Sequence, residues 1–123
     1  MANPNIVNVS AIYGASAGLV PTGTSATTWT ALTPAAGTVN KIGSIVAANV
    51  TASAATITLS LNSATGGGGT PFRLAFQITV PGNTTLIIVD KSVGLYVGEG
   101  QSVVATSNVS NAIELVATYE SLT

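Results

Sequence analysis

The stretch Ala55-Thr-Ile-Thr-Leu-Ser-Leu-Asn62 decides the fold class, because apolar and polar side chains alternate along it. Ile57, Leu59 and Leu61 lie on one side, and hydroxyl side chains lie between them on the other. A period of two residues is typical of a β-strand that buries one face and exposes the other. We therefore expect a strand here, with its apolar side on the core.

A second alternating stretch runs from Phe72 to Val80. We expect its inner face to carry Phe72, Leu74, Phe76, Ile78 and Val80, and its outer face to carry Arg73, Ala75, Gln77 and Thr79. The segment before it contains Gly66–Gly69 and is expected to form a flexible hairpin loop. A phosphate-binding loop would require a lysine after the glycines and then a helix, whereas Thr70, Pro71 and a strand follow here.

Turn signals divide the rest of the chain into further short extended segments. The predicted strands are Asn5–Gly14, Thr24–Leu32, Val39–Val50 with a bulge near Gly43, Thr84–Asp90, Val93–Val97, Gln101–Asn108 and Ile113–Glu120. In the last strand the residues Ile113, Leu115, Ala117 and Tyr119 should face inward, and Glu114 and Glu120 outward. About eight or nine short strands predict an all-β chain, a single-domain jelly-roll-like β-sandwich over residues 1–123.

The composition excludes several kinds of chemistry. The 123 residues include 3 Lys or Arg, 4 Asp or Glu, and no His or Cys. Disulfides, imidazole or thiolate metal sites and His-dependent catalytic triads are therefore impossible, so we expect no enzyme activity and no cofactor. Glu114 and Glu120 would lie about 20 Å apart along a strand, too far for a paired-carboxylate glycosidase. Three basic residues cannot neutralise a phosphate backbone, so we expect no nucleic-acid partner.

The surface must be covered mainly by hydroxyl, amide and alanine side chains rather than by charges. The net charge is −1, which leaves little repulsion between copies of the chain. We therefore expect permanent self-association or attachment to a large assembly, and the alternative is an extracellular domain kept soluble by its hydroxyl groups. The sequence has no apolar run of the roughly 20 residues that span a bilayer, so no membrane partner is expected. Its first residues also lack the pattern of a secretory signal peptide.

Two segments are candidates for contact with partners. Residues 1–10 form a possible N-terminal arm or edge strand, since the segment is uncharged and a proline is tolerated at a strand edge. We expect this arm to pair with a neighbouring subunit or with the underlying shell by strand addition. Its candidate contact residues are Asn3, Pro4, Asn5, Ile6 and Val7.

The second segment is apolar on both faces from Leu86 to Val89, which is typical of a strand buried on both sides or lying at a subunit interface. Leu86 and Ile88 are therefore candidate contact residues. Trp29, among threonines, is a candidate anchor of the core or of an interface. The alternative is a sugar-stacking platform formed by Trp29 or Tyr13.

One hairpin and several longer segments resemble known proteins. The hairpin Leu95-Tyr-Val-Gly-Glu-Gly-Gln-Ser-Val-Val resembles the penultimate hairpin of trimeric cellular and viral jelly rolls. Most of the chain resembles small virion-associated proteins of tailed bacteriophages, especially marine ones. This wider resemblance is carried by Met1-Ala-Asn-Pro-Asn-Ile-Val-Asn-Val, Lys41-Ile-Gly-Ser-Ile-Val-Ala-Ala-Asn-Val, Thr84-Thr-Leu-Ile-Ile-Val-Asp-Lys, Leu95-Tyr-Val-Gly-Glu-Gly and Glu114-Leu-Val-Ala-Thr-Tyr-Glu.

The resemblance implies a non-enzymatic virion protein. Its expected form is a homotrimer that decorates or cements the capsid exterior, with the major capsid protein or another virion protein as partner. A tail, baseplate or fibre component is the first alternative, and a carbohydrate-binding adhesion module is the second. The chain departs from the resembling proteins in its Gly66–Gly69 loop and in having fewer charges.

Overall fold

Two antiparallel sheets form a sandwich in the structure, a computed structural model that describes residues 7–123. This part of the chain contains nine strands and a short 3-10 helix, Thr30–Leu32. The strands are β1 (Ile12–Leu19), β2 (Thr27–Thr28), β3 (Val39–Asn49), β4 (Ala55–Asn62), β5 (Pro71–Val80), β6 (Thr85–Val89), β7 (Leu95–Val97), β8 (Ser102–Ser107) and β9 (Ile113–Leu122). The predicted all-β sandwich of about nine strands is confirmed.

The strand order is that of a jelly roll. The first sheet has the order β1-β9-β3-β6, and the second has the order β2-β8-β4-β5. Strands β6 and β7 both pair with β3, β6 along Ile45–Ala48 and β7 along Asn40–Ile42, so together they occupy one strand position. The resulting eight positions are divided between two sheets by connections that cross from one sheet to the other, as in jelly rolls.

The core lies between the sheets and receives side chains from both. Its largest fully buried side chains are Trp29, Leu32, Ile42, Ile45, Ile57, Leu59, Val80, Val89, Val97, Val103, Ile113 and Leu115. The alternation predicted in β4 holds at Ile57 and Leu59, and Leu61 is half-buried. In β9 the predicted inward residues are buried as far as Ala117, while Glu114 and Glu120 face solvent.

The first two predicted strands are displaced or shortened. The strand expected at Asn5–Gly14 runs instead over Ile12–Leu19, and it pairs with β9 along its whole length. Gly14 and Gly18 lie inside it, because the ladder with β9 outweighs the weak strand preference of glycine. The strand expected at Thr24–Leu32 is reduced to β2 and is followed by the 3-10 helix.

The predicted faces of β5 are wrong in the middle of the strand, between two bulges. The pairing of β4 with β5 shifts register twice, between Ile57 and Leu59 and between Leu59 and Ser60. Each shift is a bulge that places an extra residue in β5 and reverses the direction of the following side chains. Phe76, between the bulges, is consequently turned outward and is 61% exposed, whereas Phe72 pairs with Leu61 on the predicted face and is 63% exposed. Ala75, which was expected outside, is buried.

The bulge predicted near Gly43 is present in β3. The pairing of β3 with β9 shifts between Ile42 and Ser44. A Cβ atom at Gly43 would lie 3.3 Å from the backbone oxygen of Thr118, closer than most Cβ contacts. Glycine therefore allows β9 to stay close to β3 at this point.

Candidate functional site

The N-terminal candidates can be placed only in part. Asn3, Pro4, Asn5 and Ile6 lie outside the described residues, and Val7 is exposed. The chain that follows is tied to the C-terminus, because the backbone N–H groups of residues 10 and 11 donate to the carbonyl of Thr123 over 2.6 and 3.2 Å. Pairing of the arm with a neighbouring subunit stays a prediction.

Trp29 lies in the core and offers no surface to a partner. Its side chain is 1% exposed, and its backbone N–H donates to the carbonyl of Val103 in β8 over 2.7 Å. The interpretation as a core anchor is right, and the expected partner contact at this residue is wrong, because the aromatic ring fills the space between the sheets. Tyr13, the other proposed sugar-stacking aromatic, is exposed on β1.

The other two candidates lie on the inner side of β6. Leu86 and Ile88 are half-buried and pack against the core. Leu86 is paired with the buried Ala47 of β3, so its side chain shares the inner face. The residue between the two candidates, Ile87, is 68% exposed on the outer face. The surface of this strand is therefore presented by Ile87, which the sequence analysis did not single out.

Ile87 begins a row of apolar residues across the outer face of the first sheet. It pairs with Val46 of β3, Val46 pairs with Val116 of β9, and Val116 pairs with Gly18 of β1. We call these four residues the apolar row. At about 4.8 Å between strands, the row is about 14 Å long. Ile87 and Val116 are both exposed, so the row crosses the whole sheet as an apolar strip.

The positions beside the apolar row carry small or hydroxyl side chains. Ser16, Ser44 and Thr118 form the neighbouring row on one side, and Ala48 lies on the other side beside Glu114. This part of the sheet therefore carries a single charge. Such a face can pack against another surface without burying a cluster of charges.

A cleft with both polar and apolar lining residues lies on the outer face of the second sheet. It has a volume of about 160 Å³ and lies between strands β4, β5 and β8 and the loop of residues 63–70. The lining side chains used in the argument below are Thr58, Ser60, Asn62, Arg73, Val104 and Thr106. We call this site the loop cleft.

Hydrogen bonds hold the loop against the sheet, and this corrects the prediction of a flexible hairpin loop. The Asn62 side chain is 3% exposed and donates to the carbonyls of Gly67 and Gly69 over 3.1 and 3.3 Å. Its Oδ1 accepts the N–H groups of Ala64 and Gly69 over 3.0 and 2.9 Å. Because one buried amide satisfies four backbone groups of the loop, the wall of the cleft is fixed before any ligand arrives.

Glycine allows the loop to lie directly on the sheet. Gly67 has φ +79°, and a Cβ atom there would meet the Thr28 hydroxyl and lie 3.2 Å from the Val104 side chain. The Thr28 hydroxyl also donates to the carbonyl of Gly66 over 3.1 Å. The loop covers Val104, which is buried although it faces outward from the sheet. The sequence signal that could have revealed this arrangement is the asparagine at the end of β4, directly before the loop.

Arg73 supplies the positive charge of the loop cleft. It lies opposite Ser60 in the β4–β5 ladder, and its guanidinium group lies 5.5 Å from the centre of the Phe76 ring. The second bulge of β5 makes this contact possible, because it brings Phe76 to the same outer face. All four carboxylates of the chain lie elsewhere: Asp90, Glu99, Glu114 and Glu120.

The described residues contain no cluster of three or more Asp or Glu side chains that could hold a metal ion. Within residues 7–123, no helix is both long and apolar enough to cross a membrane. The expected absence of enzyme activity stays a prediction.

Comparison with known proteins gives a structural likeness at low similarity. No protein-family model and no curated protein matches the chain. The structure of infectious bursal disease virus Gx strain is similar to it with a TM-score of 0.28 and 10% sequence identity. The match covers 89% of this chain and 41% of that chain, so this chain spans about two fifths of the viral chain. A likeness at this level does not establish a shared fold or function.

Proposed function

We propose that the chain is a structural protein of a virus particle, a decoration protein that binds as a trimer to the outer shell of a tailed-phage head. The sequence resemblance described above suggests this role. The observation that carries the proposal is the apolar row, because it places an exposed apolar strip on the outer face of the first sheet with a single charge, Glu114, beside it.

The energetic argument rests on area and charge. Burial of apolar surface stabilises an interface by about 25 cal/mol for each Å² removed from water. A decoration protein would stabilise a shell by burying such surface at its interfaces. Ile87 and Val116 are exposed, and Glu114 is the one charge beside the row. Packing of this face therefore buries apolar groups at a small desolvation cost.

A ring of three subunits needs two different contact surfaces on each subunit, because its interfaces are heterologous. The apolar row on the first sheet is one such surface. The exposed edge of β5 on the second sheet, with Phe72 and Ile78, is the other. A twofold dimer would need only one of them. The two apolar surfaces on opposite sheets therefore provide the two contacts that a cyclic trimer would need.

The first experiment measures the mass of the assembly by sedimentation velocity. The unchanged chain should be a trimer. Ile87→Asp should be a monomer with an unchanged circular dichroism spectrum, because it places a charge in the row without altering the core. Val109→Asp changes an exposed valine in the β8–β9 loop and should remain a trimer. A monomeric unchanged chain, or a trimeric Ile87→Asp variant, would contradict the assembly proposed here.

The second experiment locates the protein in purified particles of the phage that encodes it. Quantitative mass spectrometry should give on the order of hundreds of copies per particle, as expected for a repeated site on a symmetric shell. Electron microscopy with a bound antibody should label heads. Labelled tails with a few dozen copies would show a tail or baseplate component instead and would overturn the capsid role.

A further inference from the structure

We propose that the loop cleft binds a sugar unit that carries a carboxylate, that is, a hexuronic acid residue of a glycan. The proposal concerns the outer face of the second sheet and is independent of the virion role. It rests on the positive charge, the buried hydroxyl floor, the size and the rigidity of the cleft.

The charge selects the acidic group of the ligand. Arg73 lines the cleft, and none of the Asp or Glu side chains does. Its fork of N–H donors matches the two oxygens of a carboxylate, and such pairs are among the strongest hydrogen bonds in proteins. The Phe76 ring under the guanidinium restricts its motion. Less conformational freedom is therefore lost when an anion binds.

The floor of the cleft offers hydroxyl groups with unused hydrogen-bonding capacity. Ser60 is 5% exposed, and its hydroxyl has only a long contact of 3.5 Å to the carbonyl of Val104. A buried hydroxyl normally has a closer partner, so this group is available to a ligand. The Thr58 hydroxyl accepts the N–H of Gln77 over 2.9 Å and keeps its own hydrogen for donation. Thr106 adds a third hydroxyl to the lining.

The size of the cleft favours a sugar ring over the side chain of a partner protein. A volume of about 160 Å³ holds several water molecules. One pyranose ring fits this space, whereas a single aspartate or glutamate carboxylate would leave most of the floor hydroxyls unpaired. Because burying unpaired polar groups is costly, a ligand with several hydroxyl groups is the better match.

The cleft does not need to form on binding. The Asn62 side chain and the Thr28 hydroxyl already fix the loop that makes its wall. A preformed site avoids the ordering cost of a mobile loop. The loop is therefore a structural wall of the site rather than a lid.

The test follows amide signals of the full chain by nuclear magnetic resonance during titration with sodium glucuronate, sodium galacturonate, glucose and acetate. At least one uronate should shift signals of Ser60, Gly67 and Arg73 at millimolar concentration. Glucose and acetate should each bind at least about tenfold more weakly than the uronate. Glucose lacks the carboxylate, and acetate lacks the ring hydroxyl groups. Equal binding of acetate would show a simple carboxylate site, and equal binding of glucose would show that the charge is irrelevant. Either result, or no shift with either uronate, would overturn the proposal.

Two variants separate the charge from the hydroxyl floor. Arg73→Gln should weaken uronate binding about tenfold or more while leaving the amide spectrum dispersed. Lys91→Gln, which removes an exposed cation from the β6–β7 loop, is the matched control and should bind like the unchanged chain. Thr106→Val should weaken the uronate and leave acetate binding unchanged, and it provides an independent result if Arg73→Gln fails to fold. Undiminished uronate binding by either cleft variant would contradict the assignment of these residues.

Discussion

The side-chain amide of Asn49, at the end of β3, donates a hydrogen bond over 2.9 Å to the carbonyl of Val80, at the end of β5. These strands belong to different sheets, so the bond joins the two layers of the sandwich. The same nitrogen donates to the carbonyl of Ser53, and the Asn49 Oδ1 accepts the N–H and the hydroxyl of Thr51 over 3.0 and 2.7 Å. Asn49 is buried and fully bonded, and it holds the β3–β4 turn against the second sheet.

The first prediction is that Asn49→Ala lowers the free energy of unfolding by about 2–3 kcal/mol, because it leaves buried carbonyl and N–H groups without partners. Urea unfolding followed by the fluorescence of Trp29, the one tryptophan of the chain, measures this change. Asn8→Ala, at an exposed asparagine, is the control and should stay within about 0.5 kcal/mol of the unchanged chain. A loss of less than about 1 kcal/mol at Asn49 would show that water replaces these bonds.

The second prediction concerns the turn between β5 and β6. A Cβ atom at Gly82 would overlap the backbone carbonyl of Ala52, which no side-chain rotation can relieve. Gly82→Ala should therefore destabilise the chain by about 2 kcal/mol or more, since the β5–β6 turn must move away from the β3–β4 turn that contains Ala52. At Gly66 an added Cβ would have nothing within 4 Å, so Gly66→Ala should be nearly neutral. Thermal unfolding compares the two variants, and equal melting temperatures would argue against the close contact at Gly82.

The third prediction is that Asn62→Ala releases the glycine loop without unfolding the sandwich. The change removes four hydrogen bonds between one side chain and the loop backbone. We expect faster hydrogen exchange at Ala64 and Gly69, by about tenfold or more, while the core amides of β4 and β8 stay protected. Thr65→Ala, an exposed change in the same loop, should leave the exchange rates unchanged. Unaltered exchange in Asn62→Ala would mean that other contacts fix the loop.

The fourth prediction concerns acid. The Ser92 hydroxyl donates to the Asp90 carboxylate, and with the Ser92 backbone N–H it holds the pKa of that carboxyl below its ordinary value of 3.8. Because the pKa is lower in the folded chain, the bonds stabilise the fold above pH 3.8, and this stabilisation is lost as the pH falls through the lowered pKa. Ser92→Ala should raise the pKa of Asp90 toward 3.8, as followed by a carbon-13 titration of its carboxyl group. A titration midpoint unchanged by Ser92→Ala would contradict the role of the hydroxyl.

Sequence periodicity predicts the strands that lie in the middle of the sheets. The bounds predicted for β4 agree with the structure, and those for β3 differ by one residue, because both strands have partners on each side. Edge strands are harder to predict. Strand β1 contains glycines that resemble a turn, and its position depends on pairing with a distant part of the chain.

The candidate site was also hard to predict, because it depends on pairing between distant parts of the chain. A bulge moves every following side chain to the other face, so the exposure of Phe76 beside Arg73 could not be inferred from alternation. On β6, all the residues from Leu86 to Val89 are apolar, so the sequence does not show whether Ile87 or its neighbours are exposed. The hydrogen bonds of the Asn62 side chain reach backbone groups up to seven residues further along the chain. Residue preferences for strands and turns do not predict such contacts.

The last prediction is that Gln77→Val destabilises the chain although valine has the higher strand propensity. Gln77 lies at a bulge of β5 with φ +48°, and its N–H donates to the Thr58 hydroxyl. A β-branched side chain is strongly disfavoured at positive φ, so we expect a loss of about 1–2 kcal/mol in the free energy of unfolding. Thr79→Val, an exposed position two residues further along β5, is the matched control and should be neutral or slightly stabilising. Urea unfolding of both variants gives the comparison. If Gln77→Val were as stable as Thr79→Val, the backbone at Gln77 would not have a positive φ, and the first bulge of β5 would be absent.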